Sequence, residues 1–525
     1  MTTAALLEHT AATMPENRAV THGERNLTYA QLWQAVDSLS RLIREIGIPR
    51  GERVALLFEN SIEYVVCYFA IIRAGYVVVP LDTSAKPESL HAIIADCGPQ
   101  LLVCSSRYVR YLARIVEPPT PIRTVLLDKV SKLTIPDITL QSFGKILGNP
   151  CDLPSAIPAE IAPKTQSMDH LKAPQELAAI YYTSGSTGAA KGVMLSHRNL
   201  VSNTLATVEY LRLTEEDSIM VILPFYYIYG NSLMLTHVAC GGRLVIDNRF
   251  LYPEVILDTM EAEAVTGFSG VPSNFIILLG NSTFKQRKLE SLRYFTQAGG
   301  AMAPDIIRRL IEAFPGKETY IMYGQTEAAP RASWLPPERL REKLGSIGIA
   351  VPGVTLEVVD EQGQALPPGR TGEIAVSGPN VMLGYWNQPE ETAQVIRNGK
   401  LMTGDLACYD EDGYFFIVGR KKEIIKTGGN RVAAKEIEEC LLRDARILEV
   451  AVFGVPDDLL GEAIKAVVVL KNGHTATSRQ VQEHCKSHLA PHKAPKYVAF
   501  LNAMPKLQSG KIDKQLLARQ AVGQV

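Results

Sequence analysis

The sequence predicts an α/β protein: a large N-terminal domain of mostly parallel, helix-covered sheets with a β-rich subdomain, followed by a small α+β domain. Three observations lead there. Over the first third, segments of helical period alternate with short apolar β-branched runs, the order that builds a parallel sheet under helices. Beyond Gly353 the texture changes to closely spaced strands and tight turns. With 525 residues, 46% of them apolar and 21% charged, the chain can bury a large core and divide into at least two domains.

Thr28 and Gln31 have capping-box spacing, and Leu32, Ala35, Val36, Leu39, Leu42, Ile43 and Ile46 then recur at helical period until Gly47. A strand at Val54 to Leu57, a helix from about Ser61 to Ala74, a strand at Val77 to Val79, another helix and a strand at Leu101 to Cys104 follow. The proline-rich stretch from Pro118 through Pro150 to Pro163 reads as a long irregular surface connection. Alternation resumes with strands near Ile219 to Leu223, Gly242 to Ile246 and Thr319 to Met322. The β-rich part comprises Thr355 to Val359, Gly372 to Val376 and a strand from Tyr414 to Val418 after the turn at Tyr409 to Gly413. The charged segment Gly419 to Glu423 places the boundary: residues 1–421 form one domain and 422–525 the other. The second reads as βαβ-like, with a helix at Lys435 to Arg443, strands at Val450 to Phe453 and Ala466 to Leu470, and a helix up to Leu489.

Composition excludes several classes. A net charge of −1 with interspersed signs offers no basic face for nucleic acid and no polybasic membrane anchor. No stretch reaches the apolar length of a membrane span, and the first residues lack the apolar core of a signal peptide. Eight cysteines without CxxC spacing argue against a disulfide framework and a zinc site and fit a reducing cytoplasm. A small-molecule substrate is the remaining default.

The most informative segment runs from Tyr182 to Val193, YTSGSTGAAKGV. Glycines 185, 188 and 192 let the main chain approach an anion, Ser184, Ser186 and Thr187 add short donors, and Lys191 adds a point charge, a pattern suited to polyphosphate. Lys191 stands between Ala190 and Gly192, so this is not the Gly-Lys-Ser/Thr loop of Walker-type NTPases. Four weaker signals accompany it. Tyr323-Gly324-Gln325-Thr326-Glu327 puts a hydroxyl and a carboxylate at a strand's C-terminal end, where open α/β sheets hold ligands and where Glu327 can ligate magnesium; alone it also fits an ordinary turn. Thr403-Gly404-Asp405 offers an acid for two ribose hydroxyls or a turn cap. Gly419-Arg420 followed by Lys426 to Gly429, and Pro505 to Lys511, are the others.

Together and in this order these segments resemble the acyl-adenylate-forming superfamily, which includes acyl-CoA synthetases, peptide-synthetase adenylation domains and luciferases, over about Leu27 to Leu517. The acyl-CoA synthetase branch related to 4-coumarate–CoA ligases is the most similar. The resemblance implies ATP-dependent activation of a carboxylic acid as an acyl-adenylate with release of pyrophosphate, and a mobile C-terminal domain that swings over the larger one. It implies that Thr183, Ser184, Gly185, Ser186, Thr187, Gly188 and Lys191 hold the phosphates. Gly299, Gly300 and Ala301 would lie beside adenine and the acyl chain, Tyr323 would stack on adenine, Thr326 would touch phosphate, and Glu327 would bind Mg²⁺. Asp405 and Arg420 would bind ribose, Lys511 would be the adenylation lysine, Lys422 the hinge, and Gly428 with Gly429 the acceptor channel.

The acid pocket is expected from Tyr226, Tyr227, Ile228, Tyr229, Phe268, Val271, Pro272 and Met322, an aromatic-rich wall for an aryl, alicyclic or medium aliphatic acid; some of these side chains are expected to be core. Many acyl-CoA synthetases have His where Tyr227 stands, and tyrosine can donate one hydrogen bond but carries no positive charge. Ile228 occupies the place of the Asp that pairs with the ammonium in amino-acid-activating relatives, so the acid should lack an α-amino group. The expected acceptor is the thiol of CoA. Transfer to a carrier-protein phosphopantetheine, or to an amino acid amine as in coronafacate-ligase-like members, is the alternative. A non-catalytic nucleotide-binding regulator is the remote one.

Overall fold

The structure is a computed structural model that describes residues 1–129, 131–144, 150–153, 157–163, 174–184, 190–506 and 512–522. Four sheets organise it. One runs in the order Ile349–Ala350, Ser333–Leu335, Glu318–Tyr323, Tyr294–Gln297, Gly267–Gly270, Ser218–Val221, Arg243–Ile246, Arg18–His22, Arg25–Thr28, parallel through its centre. A second runs Gly384–Tyr385, Ala190–Ser196, Leu177–Ser184, Val77–Pro80, Arg53–Leu57, Leu101–Cys104, Thr124–Leu127, Thr139–Ser142. The β-rich part is an antiparallel sheet of Thr355–Val359, Gly372–Ser377, Ile396–Arg397, Lys400–Tyr409 and Phe415–Arg420. The fourth sheet belongs to the C-terminal part.

The helix Tyr29–Glu45 begins at the expected capping box: Gln31 N–H donates to Thr28 Oγ1 at 3.2 Å, and Thr28 N–H donates to Gln31 Oε1 at 2.9 Å. Its apolar stripe, Leu32, Ala35, Val36, Leu39 and Ile43, is fully buried, each of the larger side chains contributing about 1.5–3 kcal/mol. On that face the Arg73 guanidinium lies 4.0 Å from the Trp33 ring centroid and bonds Asp37 at 2.6 Å, so the buried carboxylate is paired.

Two expectations are corrected. The proline-rich stretch is not wholly irregular: Thr124–Leu127 and Thr139–Ser142 extend the second sheet in parallel register. The prolines at 118, 119, 121 and 136 flank these strands without interrupting them, so each strand keeps its main-chain donors. In the C-terminal part, Ile447–Asp457 and Gly461–Leu470 form a long antiparallel hairpin rather than neighbours in a βαβ unit. The parallel crossover comes later, from Gly461–Leu470 through the helix Ser478–His488 to Tyr497–Phe500. Asp457 Oδ1 accepts from the N–H groups of Leu459 and Leu460 and closes the hairpin turn. Among the described residues no helix is long and apolar enough to cross a membrane.

Candidate active site

Ser218–Val221 lies between Arg243–Ile246 on one side and Gly267–Gly270 on the other, so the chain proceeds in opposite directions across the sheet from this strand. Such a switch point opens a crevice beyond the strand ends. The C-terminal ends of four parallel strands lead directly into the segments singled out above: Leu223 to Tyr229, Val271, Gly299 to Ala301, and Gly324 to Glu327. Backbone approach explains two glycines there. A Cβ on Gly230 would lie 2.0 Å from the Pro224 carbonyl oxygen, and one on Gly324 would lie 1.7 Å from that of Pro330. Both turns therefore require glycine.

Antiparallel register sets Asp405 directly opposite Arg420. Arg420 Nε donates to Asp405 Oδ1 at 2.6 Å, and Tyr323 Oη–H donates to Asp405 Oδ2 at 2.6 Å. Asp405 is only 5% exposed, so both its oxygens are matched at the point where solvent is lost. Burial opposes the charge on Arg420, but Asp405 outweighs it and raises the guanidinium above its ordinary value. Burial, then the negative Asp405, push the Tyr323 phenol well up, so it stays a donor. The expected turn at Thr403 to Asp405 is instead an irregularity within the strand Lys400–Tyr409: Gly404, at φ +74°, lies where the register with Gly372–Ser377 shifts, and its N–H donates to Glu373 at 2.9 Å.

Glu327 is held from two sides. Tyr385 Oη–H donates to its Oε1 at 2.8 Å, and the Met382 N–H donates to its main-chain oxygen at 2.9 Å. Tyr385 sits on the short strand Gly384–Tyr385, paired opposite Val193 at the exit of the glycine loop. The same ring lies 5.1 Å beneath Lys191 Nζ, and that ammonium is ion-paired with Glu391. Thr183 and Lys191 face each other on the two strands flanking the loop. Gly185, Ser186, Thr187 and Gly188 lie outside the described residues, as do Lys511 and the side chain of Ser184. The residues on either side of 507–511 are described: Lys506 pairs with Ile512 in a β-bridge, and Asp513 N–H donates to the Pro505 oxygen at 2.8 Å. Lys422 lies exposed in the short turn Lys421–Glu423, and Gly428 and Gly429, with φ of +54° and +78°, make an exposed turn.

In the expected acid pocket, the Tyr226 and Tyr227 rings pack at 4.7 Å, and Ile228, Tyr229 and Met322 are buried. The one proton of Tyr227 is engaged, because Oη–H donates to Asp82 Oδ2 at 3.2 Å. Burial, then Asp82, push that phenol up, so it is neutral. Val271 is half-buried, and a Cβ on Gly299 would meet it at 3.1 Å. Phe268 packs edge-on to Phe275 within the core under the neighbouring helices. Behind Tyr229 stands Arg331, which the sequence reading missed. It is 2% exposed, its guanidinium is 4.2 Å from the Tyr229 ring centroid, and Nη2 donates to Ser232 Oγ at 3.1 Å. Tyr385, Glu391 and Asp82 were missed as well; none lies in a glycine-rich run that would have drawn attention to it.

The arrangement matches known proteins along the whole chain. The family model for AMP-binding enzymes matches residues 7–386, and that for the AMP-binding enzyme C-terminal domain matches 436–511. The long-chain-fatty-acid–CoA ligase of Salmonella typhimurium is 32% identical over 99% of this chain and 94% of that protein. ATP-bound MatB from Rhodopseudomonas palustris superposes with a TM-score of 0.86 at 32% identity, covering 99% of each chain, and the apo form of MatB with 0.76. The amide bond synthetase McbA from Marinactinospora thermotolerans gives 0.86 at 27% identity, again over 99% of each chain. With both family models matched in order on a crevice of this construction, the chain belongs to the AMP-binding enzyme family and is an AMP-forming ligase.

Proposed function

We propose that the enzyme activates a carboxylic acid lacking an α-amino group and passes the acyl group from its adenylate to the thiol of CoA. The observation that carries this reading is that the Tyr323–Asp405–Arg420 cluster and the Glu327–Tyr385 pair converge on the strand end after Met322, with Tyr385 reaching Lys191 on the strand that follows the glycine loop. Asp405 and Arg420 would take the ribose hydroxyls, Tyr323 the adenine, and Lys191 with the loop residues Thr183 to Gly188 the phosphates. Hard carboxylate oxygen suits Mg²⁺, and Glu327, with one oxygen fixed by Tyr385 and Thr326 beside it, would hold that ion. The bound ion supplies neutralisation of the triphosphate charge.

A carboxylate and a triphosphate repel each other, so attack at the α-phosphorus needs positive charge where the phosphoryl oxygens gain negative charge. Lys511 would provide it from the C-terminal lobe. The acyl-adenylate is a mixed anhydride with AMP as leaving group, and a thiolate displaces it without further activation. Lys511 must then give way to the acceptor, by rotation of residues 422–525 about Lys422 that brings Gly428 and Gly429 to the site. The higher similarity to ATP-bound than to apo MatB supports a lobe arrangement like that of the nucleotide-bound form.

Buried Ile228 puts no carboxylate at the position that pairs an ammonium in amino-acid-activating relatives, and with the packed Tyr226 and Tyr227 rings it favours an aryl, alicyclic or medium aliphatic acid. CoA as acceptor is supported by the relatives named as CoA ligases, and an amine acceptor by the likeness to McbA. All eight cysteines are free thiols, in keeping with a cytoplasmic enzyme. ATP–pyrophosphate exchange over a panel of these acids tests the first step, and mass spectrometry of products formed with CoA and with amines tests the second. Failure of every acid in the panel to support exchange would overturn the first assignment; amides without thioester would overturn the second.

A further inference from the structure

In the C-terminal part the helices Ala434–Leu442 and Ser478–His488 pack side by side. Cys440 on the first faces His484 and His488 on the second. The thiol sulfur and one ring nitrogen from each histidine lie within 4.8 Å of one another. The histidines are one helical turn apart, which puts them on one face, with ring centroids 4.5 Å apart. Cys440 is buried, His484 half-buried and His488 exposed, so the cluster opens to solvent on one side.

Hydrogen bonds set the imidazole tautomers. His484 Nε2 is 3.0 Å from the Cys440 carbonyl oxygen, and His488 Nδ1 is 2.8 Å from the His484 carbonyl oxygen. A carbonyl can only accept, so these nitrogens carry the protons and the other nitrogen of each ring keeps its lone pair. Metal-bound histidines are held in this way, one nitrogen donating to a main-chain carbonyl while the other ligates. Cys485, also buried, lies in the same core cluster as Cys440.

We propose that Cys440, His484 and His488 form a binding site for a soft or borderline divalent metal ion of the Zn²⁺ class, with water in the fourth position. One thiolate and two imidazoles suit such an ion and not Mg²⁺ or Ca²⁺. Tetrahedral coordination needs ligand atoms roughly 3.3–3.6 Å apart, so the three side chains would draw together around the ion from their present spread of up to 4.8 Å. The ligand is the thiolate, so the ion must displace the Cys440 proton on binding. Bound there, the ion ties the two helices together and stiffens the lobe, and it does so independently of the acyl-transfer reaction.

The test uses the full-length protein freed of metal and titrated with Co²⁺. One equivalent should bring up a thiolate-to-cobalt charge-transfer band that Zn²⁺ then removes. Cys440→Ser should abolish the band. His488→Ala, at an exposed position where folding is not at stake, should weaken Zn²⁺ binding by at least about tenfold in competition with a chromophoric chelator. Zn²⁺ should also raise the unfolding temperature of the wild type and not that of Cys440→Ser. Absence of the band overturns the proposal. So does a band that persists in Cys440→Ser, or Zn²⁺ affinity unchanged in His488→Ala.

Discussion

At the proposed ribose end of the crevice, Tyr323, Asp405 and Arg420 hold one another through bonds of 2.6 Å around a carboxylate that is 5% exposed. At the proposed phosphate end, Lys191, whose side chain is 14% exposed, is paired with Glu391, which is 38% exposed. The first cluster is satisfied on its own, and on the proposed assignment ribose hydroxyls would need only to join it. The second would have to exchange a carboxylate for a phosphate. One end is preorganised; the other changes partners, and that is where a lobe that arrives and departs would act.

The largest expected effect lies at the changing end. Lys511→Ala should lower acyl-adenylate formation about 1000-fold, the upper range for loss of a transition-state donor, and leave transfer from supplied acyl-adenylate within about twofold. Measuring the two half-reactions separately checks it. Equal loss in both would place Lys511 outside the chemistry of the first step and remove the mobile cation from the comparison.

Asp405→Asn tests the preorganised end. It leaves Arg420 without its counter-charge and weakens the acceptor for Tyr323, a loss of about 2 kcal/mol in charge-assisted hydrogen bonding. The corresponding fall in kcat/KM for ATP is roughly 30-fold, expressed mainly in KM. If ATP affinity by calorimetry is unchanged, this cluster does not bind ribose.

Much of this contrast was legible because its parts are short and local. The glycine turns carry their own conformational signature, and Asp405 and Arg420 flank a hairpin whose turn at Tyr409 to Gly413 is explicit in the sequence. The capping box at Thr28 and two of the strands that end at the crevice, Ser218–Val221 and Glu318–Tyr323, were readable for the same reason, whereas Gly267–Gly270 and Tyr294–Gln297 were not. Tyr385 and Glu391 were not. They reach Glu327 and Lys191 only because Gly384–Tyr385 returns to pair with Ala190–Ser196, a contact across some 190 residues that no local pattern encodes. Arg331 escaped notice since a single arginine after a proline reads as surface charge, and only packing against Tyr229 and Ser232 makes it a buried cation. The hairpin Ile447–Asp457 with Gly461–Leu470 was misread because two apolar strands look alike whether they pair directly or across a helix.

Tyr385→Phe asks whether the link between the two ends matters. It removes the hydroxyl that fixes Glu327 but keeps the ring beneath Lys191. Loss of one hydrogen bond to a carboxylate, about 1.5 kcal/mol, should lower kcat/KM roughly tenfold and raise the Mg²⁺ concentration needed for half-maximal exchange. An unchanged Mg²⁺ dependence would show that Glu327 needs no such support and would detach it from the preorganised set.

The smallest effect should run in the opposite direction. The Lys191–Glu391 pair is partly solvated on the glutamate side, so its net stabilisation is on the order of 1 kcal/mol or less. A triphosphate must break it to reach the ammonium. Glu391→Gln therefore lowers the KM for ATP, by up to about fivefold, with kcat little altered, because the lysine no longer has to leave a counter-ion first. The gain should fade as salt is added, since salt already weakens the pair in the parent enzyme. If instead the KM rises, Glu391 positions Lys191 for the phosphates, and the phosphate end would be as preorganised as the ribose end.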